Sequence, residues 1–206
     1  MHYSAQLIEK CRRVSTANIG HLTHFGFMDV GIRPVYPGAR LAGPARTVQL
    51  PGFDGSVLRV ALERIQTGEV VVVDRLGDSR FACWGDVMAF RARAAGAVGA
   101  VIDGAATDPV ELEQLGFPTF SRSISPLTTT RYGIAGRVDV DVSCGGVVVH
   151  PGDLVIGDAN GVVVLSPDEA ERLVDEALTM EERARESIRR GEVPPMRNHG
   201  TAETPA

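Results

Sequence analysis

The chain has 206 residues, of which 44% are hydrophobic, and its 21 basic and 26 acidic side chains leave a formal charge of −5 at neutral pH. That balance lacks the cationic excess with which proteins displace counterions from phosphates, so nucleic acid is not an expected partner. A chain of this length and ordinary globular composition buries roughly two thirds of its unfolded surface, and a single domain over residues 1–195 is expected, with 196–206 as a loose tail.

No apolar run approaches the ~20 residues needed to cross a bilayer, and the start at Met1 lacks the basic-then-apolar pattern of a secretory signal. The expectation is a cytoplasmic protein that does not engage membranes. Cys11, Cys83 and Cys144 are widely spaced and form no CxxC pair, so they read as buried free thiols rather than as a disulfide framework. Lys10 is the only lysine, and it lies beside the apolar positions of the opening helix. A Schiff-base mechanism therefore has one poorly placed candidate.

Residues 4–14 set Leu7, Ile8, Cys11 and Val14 at helical spacing. A Gly- and Pro-punctuated stretch follows, then a strand is predicted over 45–50 and a helix over 56–66, stopped by Gly68. The run 69–74, the helical stretch 86–95 and the run 98–103 read as a βαβ unit with two parallel, fully buried strands. Beyond Gly104 the pattern predicts short strands at 117–120, 138–143, 147–150, 154–156 and 162–165, separated by turn residues such as Gly145-Gly146 and Asn160-Gly161. Ser166-Pro167-Asp168-Glu169 opens a final helix running to about Arg190, which Gly191 and Pro194-Pro195 stop.

Chemistry concentrates where strands hand over to loops. The segment from Arg80 to Met88 lies between a buried strand and a helix, where a parallel sheet places its ligand crevice. Gly85 admits a ligand to the backbone, and the amides near Val87 and Met88 could hold a carboxylate or phosphate; the alternative is that Asp86 only caps the helix. The loop from Asp103 to Pro109 should face the same crevice and bring Asp86, Asp103 and Asp108 together. Such carboxylates suit a hard divalent cation, or else Asp103 and Asp108 are turn residues. His21 and His24 read as ordinary histidines, Asp158 to Gly161 as a hairpin turn, and no GxSxG, GxGxxG or Walker motif occurs.

Gly85-Asp86 opening a helix, the run from Ala94 to Ala105, Gly116 to Arg122, Gly145-Gly146, and the stretch from His150 to Asp158 together resemble the RraA-like family. This family includes regulators of ribonuclease activity and 4-hydroxy-4-methyl-2-oxoglutarate aldolases. The resemblance implies an α/β fold, a β/β/α swivelling-domain-like sandwich or barrel with a C-terminal helix, assembled as homotrimers or hexamers around small carboxylic-acid substrates. It also implies Mg²⁺ or Mn²⁺ as cofactor. Asp86 and Asp108 fit the family signature of Asp, twenty residues, Arg-Asp; Asp108 takes the metal position, and Thr107 stands where the arginine belongs. In the implied site Gly85, Val87, Met88 and Thr107 bind substrate and Asp86 is catalytic, with Arg80 or Arg122 as stand-ins for the missing cation and Glu181 or Glu182 reaching a neighbouring subunit. The implied function is a metal-dependent carbon–carbon lyase, aldolase or decarboxylase; the alternative is a non-catalytic regulator binding ribonuclease E or another protein.

Overall fold

The computed structural model describes residues 3–134 and 136–193. Pro194-Pro195 and the tail lie outside the described residues. A short opening helix α1 (Ala5–Arg13), capped by Ser4 accepting from the Leu7 amide, is followed by a one-turn helix α2 (Thr16–Gly20) and a two-residue strand β1 (Arg33–Pro34). Neither α2 nor β1 carries a periodic apolar signal. The long strand β2 (Leu41–Gln49) begins four residues before the predicted start, because Gly43 and Pro44 lie within it.

Next come α3 (Ser56–Glu63), β3 (Val70–Asp74), α4 (Asp86–Ala95), β4 (Gly99–Ala106), α5 (Pro109–Leu115) and β5 (Thr119–Ile124). The expectation of only short strands between Gly104 and the final helix is corrected by α5. Pro109 at its first turn and Gly116 in the left-handed conformation at its end delimit a helix too short, with only Leu112 buried, to show amphipathic spacing. The remainder comprises β6 (Arg137–Val138), β7 (Val142–Cys144), β8 (Val147–Val149), β9 (Leu154–Asp158), β10 (Gly161–Leu165) and the 23-residue α6 (Pro167–Arg189). The single strand predicted over 138–143 is two pieces, broken at Asp139, whose φ of 62° no continuous strand accommodates.

The main sheet runs β1-β5-β4-β3-β2-β9-β10, with β6 on β2, and curls into a nearly closed barrel. β2, β3, β4 and β5 are parallel, with Val48 opposite Val73 and Val73 opposite Ile102. Every residue of β3 is buried, as expected of a parallel strand covered on both faces. β2 also pairs antiparallel with β9 through Leu41–Pro44, so its two halves serve the two sides of the barrel. One apolar layer packs α3, α4 and α5 against the sheet around Trp84, Ile102 and Phe117; another fills the barrel around Phe120, Val72 and Val155; a third seats α1 and α6 on β9 and β10. Ser166 and Glu169 form a reciprocal capping box at the start of α6.

Candidate active site

At the C-terminal ends of the parallel strands, three backbone segments outside the named strands are laced to one another and to the end of β4. Asp54 bridges Thr130, Ala82 bridges Thr128, and Trp84 bridges Ala106, each in parallel sense. The Thr107 amide donates to the Trp84 carbonyl at 2.8 Å, the Ala82 amide to Leu127 at 2.7 Å, and the Thr129 amide to Ala82 at 2.9 Å. The Arg75 guanidinium, fully buried, ties the loop after β3 to this frame by donating to the carbonyls of Leu50, Gly52 and Phe81.

Over this frame lies a cavity of about 280 Å³ lined by the loop 83–88, by Thr107 and Asp108, by Leu58, Arg59 and Leu62 of α3, by Arg91 of α4, and by Thr128, Thr129 and Arg131. Gly85, the N-cap of α4, brings its Cα so close to the neighbouring loop that a Cβ would meet the Asp108 Oδ2 at 2.2 Å and the Thr107 Cγ2 at 2.7 Å. Its φ of −147° is ordinary extended backbone, so close approach rather than conformation requires the glycine. The Asp86 amide donates to the Asp108 Oδ2 at 3.3 Å, and the Thr107 hydroxyl donates to the Asp108 Oδ1 at 3.1 Å. Asp108 itself sits at φ 56°, a left-handed conformation that aspartate tolerates better than most side chains.

The structure therefore brings Gly85, Asp86, Val87, Met88, Thr107 and Asp108 to one cavity. Asp86 is the first residue of α4 rather than its N-cap, and its Oδ1 accepts from the adjacent Val87 amide at 2.6 Å, so that amide already has an acceptor. The helical ladder begins at the Ala89 amide, which donates to the Gly85 carbonyl. The first-turn amides thus present a local positive potential to the cavity.

Four expected residues are elsewhere. Asp103 accepts from Arg122 and from the Gly145 amide at 2.7 Å, across the sheet toward the β7–β8 hairpin. A register shift between Ile102 and Ala105 separates it from the end of β4, and the strand's alternation turns it away from the cavity. Arg122 bridges Asp103 and Asp29, and Arg80 stands over the Phe81 ring while its carbonyl accepts from Ser125; neither lines the cavity. Glu181 is held within its own chain by Asn18 and Arg185.

Sequence reasoning missed Arg59, Arg91 and Arg131. Arg59 and Arg91 are exposed residues on helix surfaces, and Arg131 is in a loop without a pattern. Arg59 pairs with Glu63, while neither Arg91 nor Arg131 has an ion pair among the described residues. No sequence pattern links the three, which come from separate segments.

A barrel-like mixed sheet with two acidic loops meeting at a helix N-terminus defines an α/β protein with a pocket at the C-terminal ends of its parallel strands. The comparisons give that class a family. The model of the RraA-like family, described as Aldolase/RraA, matches residues 6–164, and the chain belongs to this family. A protein of Halalkalibacterium halodurans with a provisional designation as a 4-hydroxy-4-methyl-2-oxoglutarate aldolase is 37% identical over 146 residues, covering 71% of this chain and 69% of its own. The crystal structure of Streptomyces coelicolor RraAS2, described as an unusual member of the RNase ES inhibitor RraA family, superposes with a TM-score of 0.78 at 30% identity, covering 92% of this chain and 98% of that one. The RNA-processing inhibitor RraA from Thermus gives a TM-score of 0.67 at 30% identity, over 74% and 93% of the two chains. Aldolase designations among relatives support lyase chemistry within the family. Among the described residues, no helix is long and apolar enough to cross a membrane.

Proposed function

We propose that this protein is a divalent-metal-assisted lyase that cleaves or decarboxylates a small oxo- or hydroxy-carboxylic acid in the cavity over Gly85. The observation that carries this reading is the meeting of two acidic loops, Asp86 and Asp108, at a helix N-terminus inside a cavity of substrate size.

The donor chemistry fits a hard cation. Two carboxylates and the Thr107 hydroxyl are all oxygen donors, and Mg²⁺ or Mn²⁺ binds through one or two carboxylates while keeping waters. Among the described residues no group of three or more His, Cys, Asp or Glu is placed to hold a metal ion. When bound, the cation would supply positive charge against electron density left by the breaking carbon–carbon bond.

The chain's own residues do the rest. Asp108, fixed by the Asp86 amide and the Thr107 hydroxyl, would hold the cation. The first-turn amides near Met88 bind the substrate carboxylate, and Asp86, freed from the Val87 amide when a carboxylate takes its place, orients the water that delivers a proton. Arg91, on the same wall and without an ion pair among the described residues, supplies the cation that Thr107 lacks; Arg80 and Arg122 do not serve that role. Val87 lines this cavity and is more than half exposed, as are Phe90 on α4 and Val110 on α5, and such apolar surface suits contact with another copy of the chain.

Pyruvate release from oxaloacetate and from 4-hydroxy-2-oxo diacids, with Mg²⁺ or Mn²⁺ and then with chelator, tests the reading. Metal-dependent turnover is expected, and absence of turnover on every substrate overturns it. In that case a pull-down with ribonuclease E tests the alternative of a protein-binding regulator.

A further inference from the structure

β6 leaves a strand edge open. Among the described residues it pairs with β2 alone, Val48 standing opposite Val138 and Gln49 opposite Arg137. The Asp139 amide donates to the Thr47 carbonyl at 3.0 Å and the Ala45 amide to the Asp153 carbonyl at 2.7 Å, whereas the Leu50 amide donates to Asp74 of β3 at 2.8 Å. Odd-numbered residues of β2 thus turn their main-chain groups toward β9 and β6, and even-numbered ones toward β3. In an antiparallel pair the bonding residues alternate, so Arg137 and Asp139 face β2 while the amide and carbonyl of Val138 face outward. No other backbone segment among the described residues takes them up.

This edge borders a groove of about 740 Å³ whose opposite wall is α3. Arg59, Arg64, Arg131 and Arg137 line the groove around apolar Val57, Val60 and Ile134, and no aspartate or glutamate does, although acids outnumber bases 26 to 21 in the chain. Glu63 pairs with Arg59 and Asp139 with Arg64 from outside the lining, whereas Arg131 and Arg137 have no ion pair among the described residues. Ile134 is 67% exposed, so the groove offers uncovered apolar surface as well as charge. The wall is preformed: Asp54, 4% exposed, accepts from the amides of Ser56, Tyr132 and Ile134 and fixes the segment around Arg131 to the start of α3.

We propose that this groove is a docking site for an extended acidic segment of a partner protein, which adds a strand to the open edge of β6. A groove between a free strand edge and a helix is a setting in which peptides bind by main-chain hydrogen bonds, with alternate side chains entering pockets for specificity. Here the alternation calls for apolar side chains over Val57 and Ile134, and for carboxylates against Arg131 and Arg137. Charge argues against a second copy of this chain on the same edge, because pairing β6 with itself brings like-charged Arg137 side chains together. The site does not depend on the lyase reading of the cavity over Gly85.

Fluorescence anisotropy with the intact protein provides the test, the probe being a labelled octapeptide of alternating glutamate and valine. It should bind, and lose about ten-fold in affinity when glutamine replaces its glutamates or when the protein carries Arg137→Glu. Arg189→Glu, an equal change of charge on α6, should leave the affinity unaltered. Of two peptides N-methylated at every second residue, in the two possible registers, one should bind like the parent and the other lose about ten-fold, since only alternate amides face a strand edge. Absence of binding, equal binding of the glutamine peptide, or undiminished binding to Arg137→Glu overturns the proposal. Equal affinity of both N-methylated peptides and the parent overturns the strand addition. Self-association in sedimentation that Arg137→Glu abolishes assigns the edge to a second copy, and also overturns it.

Discussion

Replacing Gly85 with alanine tests the geometry of the site most directly. The added methyl would stand 2.2 Å from the Asp108 Oδ2, and ordinary contact begins at 3.4 Å, so the carboxylate or the loop must retreat by about 1.2 Å. The Thr107 methyl at 2.7 Å blocks a simple sideways rotation. Overpacking of this kind costs about 1–3 kcal/mol, which in a domain of this size lowers Tm by about 2–12 °C. A displacement near 1 Å at reacting groups costs about 100-fold in rate, so loss of turnover should exceed what instability explains. The assay is metal-dependent pyruvate release alongside a thermal melt. Asp108→Gly, which removes the carboxylate and suits the left-handed backbone, should abolish most of the stability cost of Gly85→Ala in the double variant, revealing the coupling. A Gly85→Ala protein with native Tm and native rate would refute the close approach and the site built on it.

Other outcomes follow from the same structure. Thr107→Arg should raise pyruvate formation about 100- to 1,000-fold if a donor for a developing oxyanion is what this chain lacks, as read by the Mg²⁺-dependent rate on oxaloacetate. Arg91→Ala should lower kcat/KM by at least ten-fold in the wild-type background, and by less in Thr107→Arg. Asp54 lies well below the usual carboxylate range because the Ser56 hydroxyl and the amides of Tyr132, Ile134 and Ser56 donate to it. A carboxyl depressed on folding contributes stability that is present above its unfolded value near 4 and is lost as pH falls toward its folded value, so Asp54→Asn should be less stable at neutral pH and show a shallower loss below pH 4 in acid melts. Burial pushes the thiols of Cys11 and Cys83 up to about 12 and about 11, and that of Cys144 well above the usual value. All three should therefore resist a thiol reagent at pH 8 in the native protein and react on denaturation.

The parallel core was legible in the sequence because strands buried on both faces must be continuous apolar runs, as at Val70–Asp74, and because α4 is delimited by Gly85 and Gly96. α5 was not, since seven residues with one buried side chain carry no period. Asp86 and Asp108 were readable as neighbours because connections at the ends of adjacent parallel strands must converge. Asp103 misled because its side depends on strand parity and a local register shift, which composition does not reveal. The arginines were invisible for another reason: Arg59, Arg91 and Arg131 come from three separate segments, and their convergence is a property of tertiary packing alone.

The lacing of residues 54, 82, 84, 106, 128 and 130 into one frame has a bearing on how such pockets diversify. Because main-chain bonds hold this platform, the side chain at position 107 hangs from it without supporting it. The side chain at 107 can change while the main-chain bond from its amide to Trp84 keeps the loop in place. The pocket behaves as a socket with an exchangeable insert, and new substrates become reachable by single replacements that leave the barrel intact.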